Sequence, residues 1–173
     1  DVCSSDLNLA LQGGGAHGAF SWGVLDRLLS AGLAPGWISG TSAGAVNAVA
    51  LAVGLAEGGP ERARARLAEV WTGIAKAAAP DLLRLNPLLA GMQRSGALSR
   101  IATLFSPYDF NPLGFDPLRR VLEATVDFAL LRTTKGPELL IAATDIASGR
   151  ARLFRRAELT VRSEEHTSEL QSQ

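Results

Sequence analysis

Five residues, Gly40-Thr41-Ser42-Ala43-Gly44, restrict this chain most, because of what stands on either side of them. Trp37 to Ser39 suits a short strand, and Ala43 to Ala56 is the most apolar run of the sequence, with a length fit for a buried helix. A strand that turns into a helix within so few residues forces the serine of a G-x-S-x-G pattern into a strained backbone conformation with its hydroxyl exposed. The flanking glycines leave room for strand and helix to approach, and Ala43, Gly44, Ala45 and Ala48 keep the helix slim enough to pack there. The helix N-terminus also sets partial positive charge beside Ser42, which favours an anionic intermediate. Ser42 is therefore the candidate nucleophile. The blander alternative is a serine that merely caps the helix.

A second glycine cluster comes earlier. Asn8 to Gln12 reads as a buried strand ending at Gly13-Gly14-Gly15-Ala16-His17-Gly18. Phe20, Val24, Leu25, Leu28 and Leu29 then recur at helical spacing, with Gly32 as the stop. Three consecutive glycines can point successive backbone N–H groups into one concavity, as an oxyanion hole or a phosphate cradle requires. A dinucleotide fingerprint would also follow a strand, but its ribose-binding acid is wanted about 20 residues on, where Leu33 to Ile38 offers no carboxylate. A Walker P-loop needs Lys and then Ser or Thr after the last glycine, and Ala19-Phe20 stands there instead. A purely structural glycine turn remains the third reading.

Pro60 to Ala77 reads as a further helix, its proline in the first turn, an apolar stripe of Ala63, Leu67, Val70, Trp71 and Ile74, and its arginines facing water. From Ala78 to Phe115 prolines interrupt the pattern, leaving an irregular excursion with a brief helical stretch at Leu98 to Leu104. Pro117 to Phe128 is an amphipathic helix. Glu138 to Ile146 is a buried strand, and after a turn at Ala147 to Arg150 the stretch Ala151 to Arg156 returns as the second arm of a hairpin. Alternating strands and helices indicate an α/β fold with a mainly parallel sheet and this hairpin as an antiparallel addition.

The two ends differ from the interior and are related to each other. Arg162 to Thr167 can be encoded by AGA TCG GAA GAG CAC ACG; with two further bases, the opposite strand encodes the first seven residues, DVCSSDL. That string resembles a common sequencing adaptor. Residues 1–7 and 162–173 are accordingly expected to be non-native, and residues 8–161 to be part of a domain. Without Arg162 on one side and Asp1, Asp6, Glu164, Glu165 and Glu169 on the other, the 17 basic and 17 acidic residues become 16 and 12. Such a small excess gives no case for nucleic acid as a partner, although it would not repel an anionic phospholipid surface. The one cysteine, Cys3, lies in the excluded end, so no disulfide or cysteine metal site is expected. The apolar run at Ala43 to Ala56 falls short of the roughly 18 to 20 residues that span a bilayer, so no transmembrane segment is expected.

LALQGGGAHGAFSWGVLDRLL and WISGTSAGAVNAVAL resemble the patatin-like phospholipases in motif, order and spacing, and ELLIAATDIASGRARLF looks like the strand pair before that family's Asp-Gly-Gly or Asp-Gly-Ala motif. The resemblance implies a three-layer α/β/α fold around a mainly parallel sheet, here incomplete at its C-terminal end. It also implies a serine lipid acyl hydrolase that works through a Ser–Asp dyad. Ser42 would be the nucleophile, Gly13, Gly14 and Gly15 the oxyanion hole, and Gly18, Gly40, Thr41, Ala43 and Gly44 would complete the motifs. The implied substrate is a lipid or phospholipid ester, met at a membrane surface, with the cytoplasm or the membrane periphery as the expected location; no metal and no organic cofactor is implied.

The chain departs from the family pattern in two ways. His17 stands where the family often has Lys or Arg, and no Asp-Gly occurs anywhere. A triad of the α/β-hydrolase kind wants a histidine after the serine, but His166 lies in the adaptor-like end. His17 reads as a loop-stabilising residue, Asp145 as structural and Asp26 as a solvated charge. The aspartate of the dyad is thus expected outside this chain, which should be nearly inactive as given. The rival readings are a glycine-loop module binding nucleotide or phosphate, and a non-catalytic lipid-binding fragment.

Overall fold

The structure is a computed structural model that describes residues 7–77, 117–145 and 148–159. The excursion from Ala78 to Phe115 with its Leu98 to Leu104 pattern, the turn residues Ile146 and Ala147, and nearly all of the two adaptor-like ends lie outside the described residues.

Strand β1 (Asn8–Leu11) runs through a 3-10 turn (Gly15–His17) into helix α1 (Gly18–Ser30), and β2 (Trp37–Thr41) turns at once into α2 (Ala43–Ala77). Helices α3 (Pro117–Thr125) and α4 (Phe128–Thr133) precede the hairpin of β3 (Glu138–Thr144) and β4 (Ala151–Arg155), which ends in a 3-10 turn (Arg156–Glu158). The four strands form one sheet in the order β1-β2-β3-β4. Leu11 pairs with Gly40 and Gly40 with Ile141 in parallel, whereas Ile141 pairs with Phe154 antiparallel. This is the mainly parallel α/β sheet with an antiparallel hairpin that the alternating pattern implies.

Helix α2 is two arms. The backbone leaves helical values at Gly58 (φ −177°, ψ 24°) and Gly59 (φ 79°, ψ −160°), and Pro60 opens the second arm. Only the conformation of Gly59, in a region closed to most side chains, requires a glycine. The arms fold back on each other so closely that a Cβ on Gly54 would lie 2.3 Å from the Cα of Ala63. Around the bend, Glu57 pairs with Arg62 and Arg66, and Glu69 pairs with both arginines again. The arginines of the second arm do not all face water as the stripe suggests: the Arg66 side chain is only 12% exposed, drawn in by Glu57. Asp26, read from sequence as a solvated charge, is ion-paired with Arg64 at 2.8 Å and links α1 to α2.

The first arm of α2 is the centre of the core, buried without a break from Ala43 to Gly54. A helix that is apolar all round must be enclosed. It lies on the sheet face that carries Ile38, Leu139 and Ile141, and Leu25 and Leu29 of α1 and Leu122, Val126 and Leu131 of the α3 and α4 region join the same core, α3 touching the second arm of α2 at Gly73. The opposite face of the sheet, with Trp37 49% exposed, carries no helix among the described residues. The single helix expected over Pro117 to Phe128 is broken, because the Asp127 side chain accepts a hydrogen bond from Leu130 N at 2.8 Å and starts α4 as a new helix. Arg156 then binds that end of the molecule together. Its guanidinium donates to the carbonyl oxygens of Leu131 (2.7 Å) and Pro137 (2.8 Å) and to Thr134 Oγ1. Burial pushes its pKa below the ordinary value, opposed in part by Glu138.

The Gly54–Ala63 contact yields a stability prediction. Gly54→Ala adds one methyl group where backbone stands, so the arms must separate, and denaturant unfolding should register a loss of about 1 to 3 kcal/mol despite alanine's better helix propensity. A stabilised Gly54→Ala protein would show that the arms are not packed this closely.

Candidate active site

Both glycine motifs sit at the C-terminal ends of parallel strands, β1 and β2, which lie side by side in the sheet. At the end of β2 the chain turns so sharply that Ser42 takes φ 51°, the one positive φ of a residue other than glycine among those described. This left-handed conformation costs an L-residue roughly 1 to 2 kcal/mol. The turn is tight for a visible reason. A Cβ on Gly40 would stand 2.6 Å from the Gly44 carbonyl oxygen, and one on Gly44 would stand 2.1 Å from the Leu11 carbonyl oxygen. Thr41 fixes the other side by donating from Oγ1 to the Ala142 carbonyl at 3.2 Å.

Ser42 does not cap the helix in the usual way. Its carbonyl accepts from Ala45 N and Val46 N, but its side chain accepts no backbone N–H, and φ 51° lies outside the extended region where capping residues sit. Ser42 Oγ has no hydrogen-bond partner among the described residues, although the residue is only 8% exposed. The hydroxyl stands at the N-terminal end of the first arm of α2, where the helix dipole favours negative charge.

The glycine loop is seated on the same turn at both its ends. At its start, the Leu11 and Gln12 carbonyls lie against Gly44; at its finish, Gly18 is so close to Ala43 and Trp71 that a Cβ would meet them at 2.7 and 2.6 Å. In between, Gly14 takes φ 154° and Gly15 φ 55°. The N–H groups of Gly13, Gly14 and Gly15 make no hydrogen bond to any described residue. His17 closes the loop upon itself, its Nδ1 donating to the Gly14 carbonyl at 3.0 Å and its backbone N–H to the same oxygen at 3.1 Å.

No described acid or imidazole reaches Ser42. Asp145, at the end of β3, shapes the hairpin turn by accepting from Ser148 N and Ser148 Oγ, each at 2.8 Å. Asp26 is taken by Arg64. Among the described residues no group of His, Cys, Asp or Glu could hold a metal ion, and no helix is long and apolar enough to cross a membrane.

Two residues of the site are missing from the sequence-based candidates. Asn47, fully buried, donates from Nδ2 to the Gly18 carbonyl at 2.9 Å and accepts at Oδ1 from Trp71 Nε1 at 2.7 Å. The available signal was a single amide in an otherwise apolar helix; its partner Trp71 lies on the other arm of α2.

The family model for patatin-like phospholipase matches residues 9–169, a range that takes in both motifs and the hairpin and runs past Val161 to Glu169. Comparison with curated proteins and with solved structures finds no match.

The strain at Ser42 makes a prediction independent of any chemistry. Ser42→Gly relieves the left-handed backbone and removes a hydroxyl that bonds to nothing described, so the unfolding free energy should rise by about 1 kcal/mol in a denaturant melt. A destabilised Ser42→Gly protein would mean that the turn is not strained.

Proposed function

The chain belongs to the patatin-like phospholipase family, and from that membership we propose a serine lipid acyl hydrolase in which Ser42 is the nucleophile and Gly13, Gly14 and Gly15 supply the oxyanion hole. One observation carries this reading. A strained serine with an unpartnered hydroxyl stands beside a glycine loop whose three N–H groups are also unpartnered among the described residues. Unused donors next to an unused nucleophile are what acyl transfer requires, because the hydrogen bonds are meant for charge that develops only in the transition state.

The chemistry then runs in two halves. Ser42 Oγ attacks the carbonyl carbon of a lipid or phospholipid ester while a base removes its proton, and the carbonyl π electrons move onto the oxygen held by the loop N–H groups. Collapse of that tetrahedral species breaks the ester C–O bond. The alcohol, a lysolipid or glycerol derivative, leaves with the proton, and Ser42 remains acylated. Water, deprotonated by the same base, attacks the acyl group and releases the fatty acid and free Ser42. The base proposed is the aspartate of the family's Asp-Gly motif, which the 173 residues do not contain. His17 Nδ1 is engaged with Gly14 and Asp145 Oδ1 with Ser148, and neither makes a hydrogen bond to Ser42, which supports assigning the base to the aspartate rather than to them. In the same proposal residues 1–7 and 162–173 are non-native, and substrate is met at a membrane surface.

Two results would test it. Losing a general base removes a factor of about 100 to 10,000 in rate, so the 173-residue chain should hydrolyse acyl esters that much more slowly than the chain joined to its native downstream sequence; Ser42→Ala should abolish turnover in both. Full turnover by the shorter chain, lost in Ser42→Ala, would refute the missing-aspartate reading.

In the longer protein, Gly14→Pro deletes one donor and imposes a φ far from 154°, and should lower kcat/KM by more than about 100-fold. His17→Ala should stay within about tenfold of the parent, because His17 only braces the loop. Equal damage from His17→Ala and Ser42→Ala would instead point to a Ser–His pair.

A further inference from the structure

Asn47 stands in an arm whose other residues from Ala43 to Val53 are alanine, valine, leucine or glycine, and it is completely buried there. A leucine has nearly the same shape and would avoid the desolvation that a buried amide suffers. The amide therefore contributes direction rather than packing. Both ends of its carboxamide are used, Nδ2 donating to Gly18 O at 2.9 Å and Oδ1 accepting from Trp71 Nε1 at 2.7 Å. Only this orientation works, since a flipped amide would set NH2 against the indole N–H and oxygen against the carbonyl. Gly18 is thus held by a hydrogen bond from Asn47 and wedged between the Trp71 ring and Ala43.

We propose that Asn47 is a positioning residue, fixing the Gly18 end of the glycine loop on the helix arm that carries Ser42 and so setting where the loop N–H groups stand relative to Ser42 Oγ. The inference rests on the reading of Ser42 and Gly13 to Gly15 given above. With the Leu11–Gln12 end resting on Gly44, both ends of the loop are referred to one rigid arm. A loop tied at one end only would keep its fold but lose its aim, and a misplacement of about 1 Å can lower a rate by about 100-fold.

The test compares Trp71→Phe with the double variant Asn47→Leu, Trp71→Phe, so that no indole N–H is orphaned. The double variant loses the bond to Gly18 and also removes the Oδ1 that Trp71→Phe leaves unpartnered, so labelling and loop exchange rather than stability report the loss of that bond. The readouts on the full 173-residue chain are thermal melting, the rate at which a fluorophosphonate labels Ser42, and hydrogen exchange of the backbone amides. Adding Asn47→Leu should move the melting temperature by less than about 5 °C, slow labelling by about 10- to 100-fold, and speed exchange at residues 13–18 while leaving residues 48–53 unchanged. Unchanged labelling together with unchanged loop exchange overturns the proposal, and so does a loss confined to melting. Should the double variant not fold, Asn47→Ala, which opens space for water at both partners, takes its place against the wild type under the same criteria. A wild-type chain too slow to label, as the absent aspartate alone would make it, leaves loop exchange to decide, a rise supporting the anchor and its absence overturning it.

Discussion

Everything at the candidate site depends on one close approach, that of the Gly40 to Gly44 turn to the backbone at the end of β1. The Leu11 carbonyl occupies the space that a side chain at Gly44 would need, and the Gly44 carbonyl occupies the space needed at Gly40. No larger residue could stand at either place without moving main chain. Ser42 is left between two such contacts with a backbone it would not choose by itself, φ 51°. The strain is held by surrounding packing, as is usual where a side chain must be presented at a fixed angle. The same contacts seat the glycine loop, so Ser42 and the three N–H groups that are unpartnered among the described residues belong to one unit.

That unit is stiff because the first arm of α2 is enclosed on all sides. The sheet, the second arm, α1 and the α3 and α4 region all contribute to the core around it. Arms that touch through Gly54 and Ala63 leave the ion pairs around the bend a secondary role. The partly exposed Arg62–Glu69 pair contributes about 0 to 1 kcal/mol, and the largely buried Glu57–Arg66 pair has its attraction offset by desolvation, so the Glu57, Arg62, Arg66 and Glu69 group trims the bend rather than creating it. The bend is set by Gly59, whose φ of 79° suits glycine, and by Pro60, which can begin a helix but not continue one.

What was legible in the sequence is what depends on local sterics. Gly40, Gly44 and the glycine run announce tight backbone, Pro60 announces a helix start, and the apolar runs announce strands and the buried arm. What was not legible depends on partners far along the chain. Asp26 finds Arg64, Arg66 turns inward to Glu57, and Arg156 reaches the end of α4; no periodicity forecasts such pairs. Asp127 is an intermediate case. An aspartate before an apolar run is a helix-start signal, but the amphipathic pattern continues through it and hides the break. Asn47 was visible as the odd polar residue of its helix, yet its meaning appears only when Trp71 and Gly18 are brought to it by the fold.

Family membership supplies the class of reaction, and the geometry supplies an arrangement suited to it: a strained serine hydroxyl and a glycine loop whose N–H groups have no hydrogen-bond partner among the described residues, both seated on one helix arm. The central claim is that these belong together, and a crystal structure of the chain joined to its native downstream sequence, after reaction with an alkyl fluorophosphonate, tests it most directly. The account predicts one covalent adduct, on Ser42 Oγ, with the phosphoryl oxygen within about 2.7 to 3.1 Å of N–H groups of Gly13, Gly14 or Gly15. An adduct on another residue, or one on Ser42 whose phosphoryl oxygen points away from the glycine loop, would contradict it.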